Sequence, residues 1–219
     1  IDTGVADWQT LADGVDPAAE VVLVGADEDG MQVMADTLAG RSDVEAIHVI
    51  GHGNVGVFQL GNARVDNASI GEYADAFESV QKALSSTADF MIYGCYVGSE
   101  GAGSAFVDAL AAATGADVAA STDITGGVLS SGDWELEYAS GSIEANIALT
   151  YSAQTTFTGQ LSTIDTNSTW LGNSGDIYQN QVAFSGAAND VSGRTSQSLG
   201  SDGNLIFVHS ASTTPSSGG

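Results

Sequence analysis

A single cysteine, Cys95, stands among 219 residues, so no disulfide can form within the chain, and with no second thiol and no cluster among its three histidines there is no zinc signature. Positive charge is equally scarce. Four basic residues (Arg41, Arg64, Lys82 and Arg194) face 28 acidic ones, a formal charge of -24, which works against nucleic-acid phosphates and anionic membrane surfaces. No apolar run approaches the roughly eighteen residues of a membrane span, so direct membrane insertion is not expected. The sequence opens at Ile1 without the pattern of a signal peptide, and the chain is expected to be a piece of a longer product. What remains suits a secreted or cell-surface protein, a salty environment, or a cation such as calcium held by carboxylates.

The chain is 43% apolar and long enough to bury a proper core. Glu20 to Ala26 is a valine-rich apolar run, the pattern of a parallel strand covered on both faces. Met31, Met34, Ala35 and Leu38 recur at helical spacing before a stop at Gly40. Ala46 to Ile50 predicts a second buried strand, and Val57 to Leu60 with a turn at Gly61-Asn62 a hairpin arm. Asn67 to Leu84 predicts one long amphipathic helix. Phe90 to Tyr93 reads as a third strand, Ser104 to Thr114 as a helix closed by Gly115, and Ala116 to Ala120 as a fourth strand.

Strands alternating with helices imply a mostly parallel central sheet covered on both faces, with sites at the carboxyl ends of its strands. Trp134, Leu136 and Tyr138 alternate with acids, and with Ile143 to Leu149 they predict antiparallel strands at the sheet edge, turning at Ser140-Gly141. The expected organisation is an α/β domain over 1–149 and, where composition shifts to Ser, Thr, Asn, Gly and Gln, a polar β-rich extension or the start of a following module over 150–219, with a flexible tail.

The chemistry concentrates at two strand ends. One apolar run stops at Gly51-His52-Gly53, the other at Gly94-Cys95. If the two strands are neighbours, Cys95 supplies a nucleophile and His52 a proton acceptor, while the backbone N–H groups of Gly53 and Cys95 can serve as oxyanion donors. A helix starting after Cys95 would favour a thiolate. Against this, free cysteine is among the most buried residue types, and a lone cysteine ending a core strand is commonly packing.

Other candidates carry less. His48 and His52 show a His-x-x-x-His spacing, but on a strand their rings are too far apart for one ion, so His48 reads as a core histidine. His209 ends a late apolar run. Asp27, Glu28 and Asp29 could hold calcium, although they lack the alternation of a calcium loop and equally fit an acid-capped helix start. Gly98, Gly101 and Gly103 come without the lysine of a phosphate loop, and Ser99 and Ser104 without a nucleophile elbow.

Strands ending in His-Gly and, some forty residues later, in Gly-Cys resemble those of the caspase, gingipain and clostripain cysteine peptidases. More closely, AIHVIGHGNVGVFQLGN, DFMIYGCYVGSEGAGSAFVDALAAATGADVAASTDITGG and GDWELEYASGSIEA resemble a domain without assigned function near the amino termini of very large bacterial surface and adhesin-like proteins. The resemblance covers roughly residues 1 to 148. It implies a caspase-like three-layer sandwich, Cys95 as nucleophile, His52 as general base or acid, Gly53 as an oxyanion donor, and no required cofactor. It also implies a specificity pocket drawing on Ser121-Thr122-Asp123, with Asp123 receiving a basic side chain; Tyr96 and Val97 depart from the small residues that often follow the cysteine. The expected activity is that of a cysteine endopeptidase acting on a peptide or on its own parent polypeptide, with Arg194 as a candidate cleavage position. The alternative is a non-catalytic structural or calcium-binding module of a giant surface adhesin.

Overall fold

The computed structural model describes residues 1–162, together with the backbone of two short strands further on. The chain divides into two compact units, Ile1–Ile164 and Asp165–Gly219. In the second, β8 (Gln197–Leu199) and β9 (Leu205–Phe207) pair antiparallel. His209 and Arg194 lie outside the described residues.

The first unit is built on a four-stranded sheet: β1 (Val44–Ile50), β5 (Leu84–Tyr93), β6 (Asp117–Ala120) and β7 (Tyr138–Ala139), in that order. The first three run parallel and β7 antiparallel. Side chains alternate across a strand, and β5 shows the consequence. Phe90 and Ile92 enter one core with α2 (Gly30–Leu38), α3 (Ala74–Ala83) and α4 (Ala102–Thr114). Met91 and Tyr93 enter the other with α1 (Trp8–Asp13) and α5 (Tyr151–Thr156). The result is a three-layer α/β arrangement. A second, antiparallel sheet of β2 (His52–Asn54), β3 (Val57–Leu60) and β4 (Ala63–Asp66) grows from the end of β1.

Local chemistry explains the helix limits. Asp29 caps α2 by accepting from the N–H groups of Met31 and Gln32, and Gly115 ends α4 in the left-handed conformation, φ 71°. The long helix expected over 67–84 is shorter: Asp66 accepts from Ala68 and Ser69, a 3-10 turn fills Ile70–Tyr73, and Leu84 already has the extended backbone of β5.

Two expected strands are not in the sheet. Residues 20–23 form no ladder, and Val24 makes only a bridge to Asp2. Their backbone bonds go to the first residues of the chain, with Val24 N–H donating to Ile1 at 3.0 Å, and this leaves Val21 and Leu23 exposed. Of the edge hairpin only β7 forms. The N–H groups of Glu144 and Ala145 donate instead to the buried carboxylate of Asp89, at 2.9 and 2.7 Å. The first unit also takes in α5 and the extended segment after it, which packs through Phe157 and Leu161.

Candidate active site

Parallel pairing of β1 with β5 puts Ile50 opposite Tyr93, and Gly51 N–H donates to Tyr93 at 3.2 Å. His52 and Cys95 therefore each lie two residues beyond a matched pair, at the carboxyl ends of adjacent strands. The backbones touch here. An added Cβ on Gly53 would come within 2.6 Å of Val97 Cγ2 and 2.7 Å of the Gly94 carbonyl carbon. Only glycine permits that approach.

Cys95 is fully buried, and its Sγ donates to the carbonyl of Thr125 at 3.5 Å. Burial pushes the thiol up to about 11, only partly offset by the backbone groups of Thr125 and Leu161. The expectation that a following helix would hold it as a thiolate is thus not met: α4 begins only at Ala102, and desolvation wins. His52 is half-buried, and its Nδ1 is shielded from solvent with no hydrogen-bond partner among the described residues.

The N–H groups proposed from sequence as oxyanion donors do converge on an oxygen, and that oxygen belongs to this same chain. Gly53 N–H donates to the carbonyl of Leu161 at 2.8 Å and Cys95 N–H donates to it at 3.0 Å. Around this point the segment Gly159 to Ser162 is held like a bound peptide. Leu161 N–H donates to Thr125 at 3.0 Å, Gly159 accepts from Gly127 N–H at 2.9 Å, Gln160 bridges Gly126 antiparallel, and Ser162 bridges Gly53. The Leu161 side chain is fully buried in an apolar cluster with Ile50, Met91, Tyr93, Trp134 and Phe157. Burying a leucine in this way contributes about 2 kcal/mol. Trp134 braces that wall, its ring 6.0 Å from Tyr93 and 5.8 Å from Phe157.

Leu161, Thr125, Gly127, Trp134 and Phe157 were not candidates in the sequence. The available signal was a pair of apolar residues, Phe157 and Leu161, in the otherwise polar run TTFTGQLST. Asp123 lies at the surface, on the loop that follows β6. Its carbonyl accepts from Tyr96 N–H at 2.7 Å, and its carboxyl is pushed up by partial burial and by Glu137 and Asp133 nearby. The side chain seated beside Cys95 is apolar, with no acid paired to it. His48 packs against Tyr93, whose hydroxyl lies 3.4 Å from its Nδ1, and burial lowers its pKa.

For a metal, Asp27, Glu28 and Asp29 are a poor set, because two of them are engaged by backbone donors: Glu28 accepts from Gly25 N–H at 2.7 Å and Asp29 caps α2. Among the described residues, two other carboxylate groups converge to within 4.8 Å: Asp123 with Asp133 and Glu137, and Asp89 with Asp117 and Glu144. The second contains an oxygen, Asp89 Oδ1, that is buried with no hydrogen-bond partner. Gly98, of the glycine-rich stretch, uses its N–H on Ser121 at 2.8 Å.

A buried cysteine and a histidine thus stand at adjacent strand ends of a three-layer α/β domain, beside two backbone donors that share one carbonyl. Residues 1–161 match the family described as a domain of unknown function, DUF4347, and the chain belongs to that family. No curated protein and no solved structure matches the chain. Among the described residues no helix is long and apolar enough to cross a membrane.

Proposed function

We propose that the domain is a caspase-like cysteine endopeptidase of a large secreted or surface-exposed bacterial protein, that Cys95 and His52 are its dyad, and that its substrate is its own parent polypeptide. One observation carries this reading: two N–H groups, one of them from the nucleophile's own residue, hold a peptide carbonyl of the same chain. That is how an acyl-transfer site stabilises the oxyanion of a tetrahedral intermediate. A thiol at about 11 is ionised in only about one molecule in ten thousand at neutral pH, so the attack needs a partner that takes the proton as the bond forms. We assign that role to His52, which ends the strand adjacent to that of Cys95 and whose Nδ1 has no hydrogen-bond partner among the described residues.

Fragments of the purified full chain, followed by mass spectrometry, test the proposal. Cys95→Ala is expected to remove them entirely, and His52→Ala to slow their appearance by about 100-fold or more. The same fragments from wild type and Cys95→Ala would overturn it.

A second reading, a calcium-binding module, has its own observation. Asp89 is 1% exposed with its Oδ1 unpaired, and its carboxylate forms a group with those of Asp117 and Glu144. A buried, unpaired carboxylate oxygen is costly, and a hard cation bound by oxygen ligands would relieve that cost. Calcium at about a hundredfold its dissociation constant is then expected to stabilise the fold by about 2.7 kcal/mol, a rise of several degrees in melting midpoint. Asp89→Asn should abolish the rise. An unchanged midpoint in wild type would count against any bound ion.

A further inference from the structure

On the reading that Cys95 is a working nucleophile, we infer that the bond it cuts is Leu161–Ser162, within the same molecule, and that the site selects an apolar residue of leucine size on the amino side of the cut. The chain is held on both sides of that bond, by Thr125 to Gly127 pairing with Gly159 to Leu161 and by Gly53 bridging Ser162. The carbonyl to be attacked is the one that both donors grip, at 2.8 and 3.0 Å. Thr125 ties the nucleophile to the same place, its carbonyl accepting from both Cys95 Sγ and Leu161 N–H. The Leu161 side chain fills an apolar pocket with no exposed surface. The family match also ends at Leu161, the residue that would carry the new carboxyl terminus.

The steps balance with water as the only co-reactant. The Cys95 thiol gives its proton to His52 as sulfur attacks the Leu161 carbonyl carbon, and the carbonyl electron pair moves onto the oxygen held by Gly53 and Cys95. That pair returns, the Leu161–Ser162 C–N bond breaks, and His52 delivers the proton to the departing nitrogen, leaving Ser162 with a free amino group. Water then attacks the Cys95–Leu161 thioester, giving one proton to His52, which returns it to the sulfur as the C–S bond breaks; the Leu161 carboxylic acid loses the other to solvent, leaving the thiol and a carboxylate. Reaction within one molecule needs no encounter between molecules, so the local concentration of substrate is high. The Leu161 side chain that remains continues to fill the pocket a second substrate would require, so external peptides are expected to turn over slowly.

Intact-mass spectrometry and amino-terminal sequencing of the full chain test this. The expected products are residues 1–161 and a fragment beginning at Ser162, both absent from Cys95→Ala. Leu161→Asp is expected to slow the cut by about 100-fold or more and Leu161→Met to retain it. Ser162→Pro, which leaves the pocket untouched and removes the amide N–H of the leaving group, should also block it. Arg194→Ala should change nothing. Cys95-dependent fragments with another terminus, for example after Arg194, would overturn this inference and leave the peptidase reading standing. Intact wild type, or fragments indifferent to Cys95→Ala, would overturn both.

Discussion

Gly53→Ala is expected to destabilise the domain by about 3 kcal/mol and to stop self-cleavage, because the new methyl has nowhere to go. Its nearest neighbours would be Val97 Cγ2 at 2.6 Å, the Gly94 carbonyl carbon at 2.7 Å and the Cys95 carbonyl oxygen at 2.9 Å. Two of these are backbone atoms of the segment that carries the nucleophile, so relief means pushing the end of β5 away from that of β1. That displacement also withdraws the Gly53 N–H from Leu161. Gly71→Ala is the matched control: no heavy atom lies within 4 Å of the position, and the change should leave the unfolding free energy within about 1 kcal/mol of wild type. Urea unfolding monitored by tryptophan fluorescence, together with a cleavage time course, reads both effects. A Gly53→Ala chain as stable as wild type would contradict the close approach of the two strand ends.

Trp134→Ala should cost about 4 kcal/mol, in the range for deleting a buried aromatic. Trp134 is 4% exposed, its ring packs between Tyr93 and Phe157, and its Nε1–H donates to the Gln154 carbonyl at 3.3 Å. Loss of the ring opens the wall behind Leu161 and leaves the Gln154 carbonyl without that donor. Unfolding in urea checks the cost, and cleavage below the transition should also slow because Leu161 is no longer held in one position. A loss under about 1 kcal/mol would mean that the pocket collapses without harm.

The two strand ends were legible because a buried run stopped by glycine is a local pattern. Ala46 to Ile50 followed by Gly51-His52-Gly53, and Phe90 to Tyr93 followed by Gly94-Cys95, contain most of the information needed to place them. The helices α2 and α4 were legible for a similar reason, since their periodicity and glycine stops are local. Residues 20–23 and 143–149 were misread because their backbone partners are distant. The first group bonds to the chain's opening residues; in the second, Glu144 and Ala145 bond to the Asp89 carboxylate while Ala148 and Leu149 meet Asp16 and Val15, partners that no pattern of alternation encodes. Periodicity describes a face and is silent about which donor meets which acceptor.

The site divides along the same line. The donors Gly53 and Cys95 could be named from the sequence, whereas the carbonyl that they hold could not. Leu161 sits in a polar stretch far along the chain, and it reaches the site only because α5 and Phe157 pack against Trp134 and turn the following segment along Thr125 to Gly127. The thiol was misjudged as well. Proximity to a helix start argued for a lowered pKa, but complete burial of the sulfur raises it, and desolvation is the larger effect for a group with no exposed surface.

If Cys95 attacks the carbonyl held by Gly53 and Cys95 itself, water must supply the new carboxylate oxygen. The most direct measurement is the mass of the amino-terminal product formed in water enriched in heavy oxygen. The expected product is a fragment of residues 1–161 carrying one heavy oxygen at the Leu161 carboxylate, formed by wild type and absent from Cys95→Ala. A wild-type chain that stays intact, or a labelled terminus at any other residue, would contradict attack by Cys95 at that carbonyl.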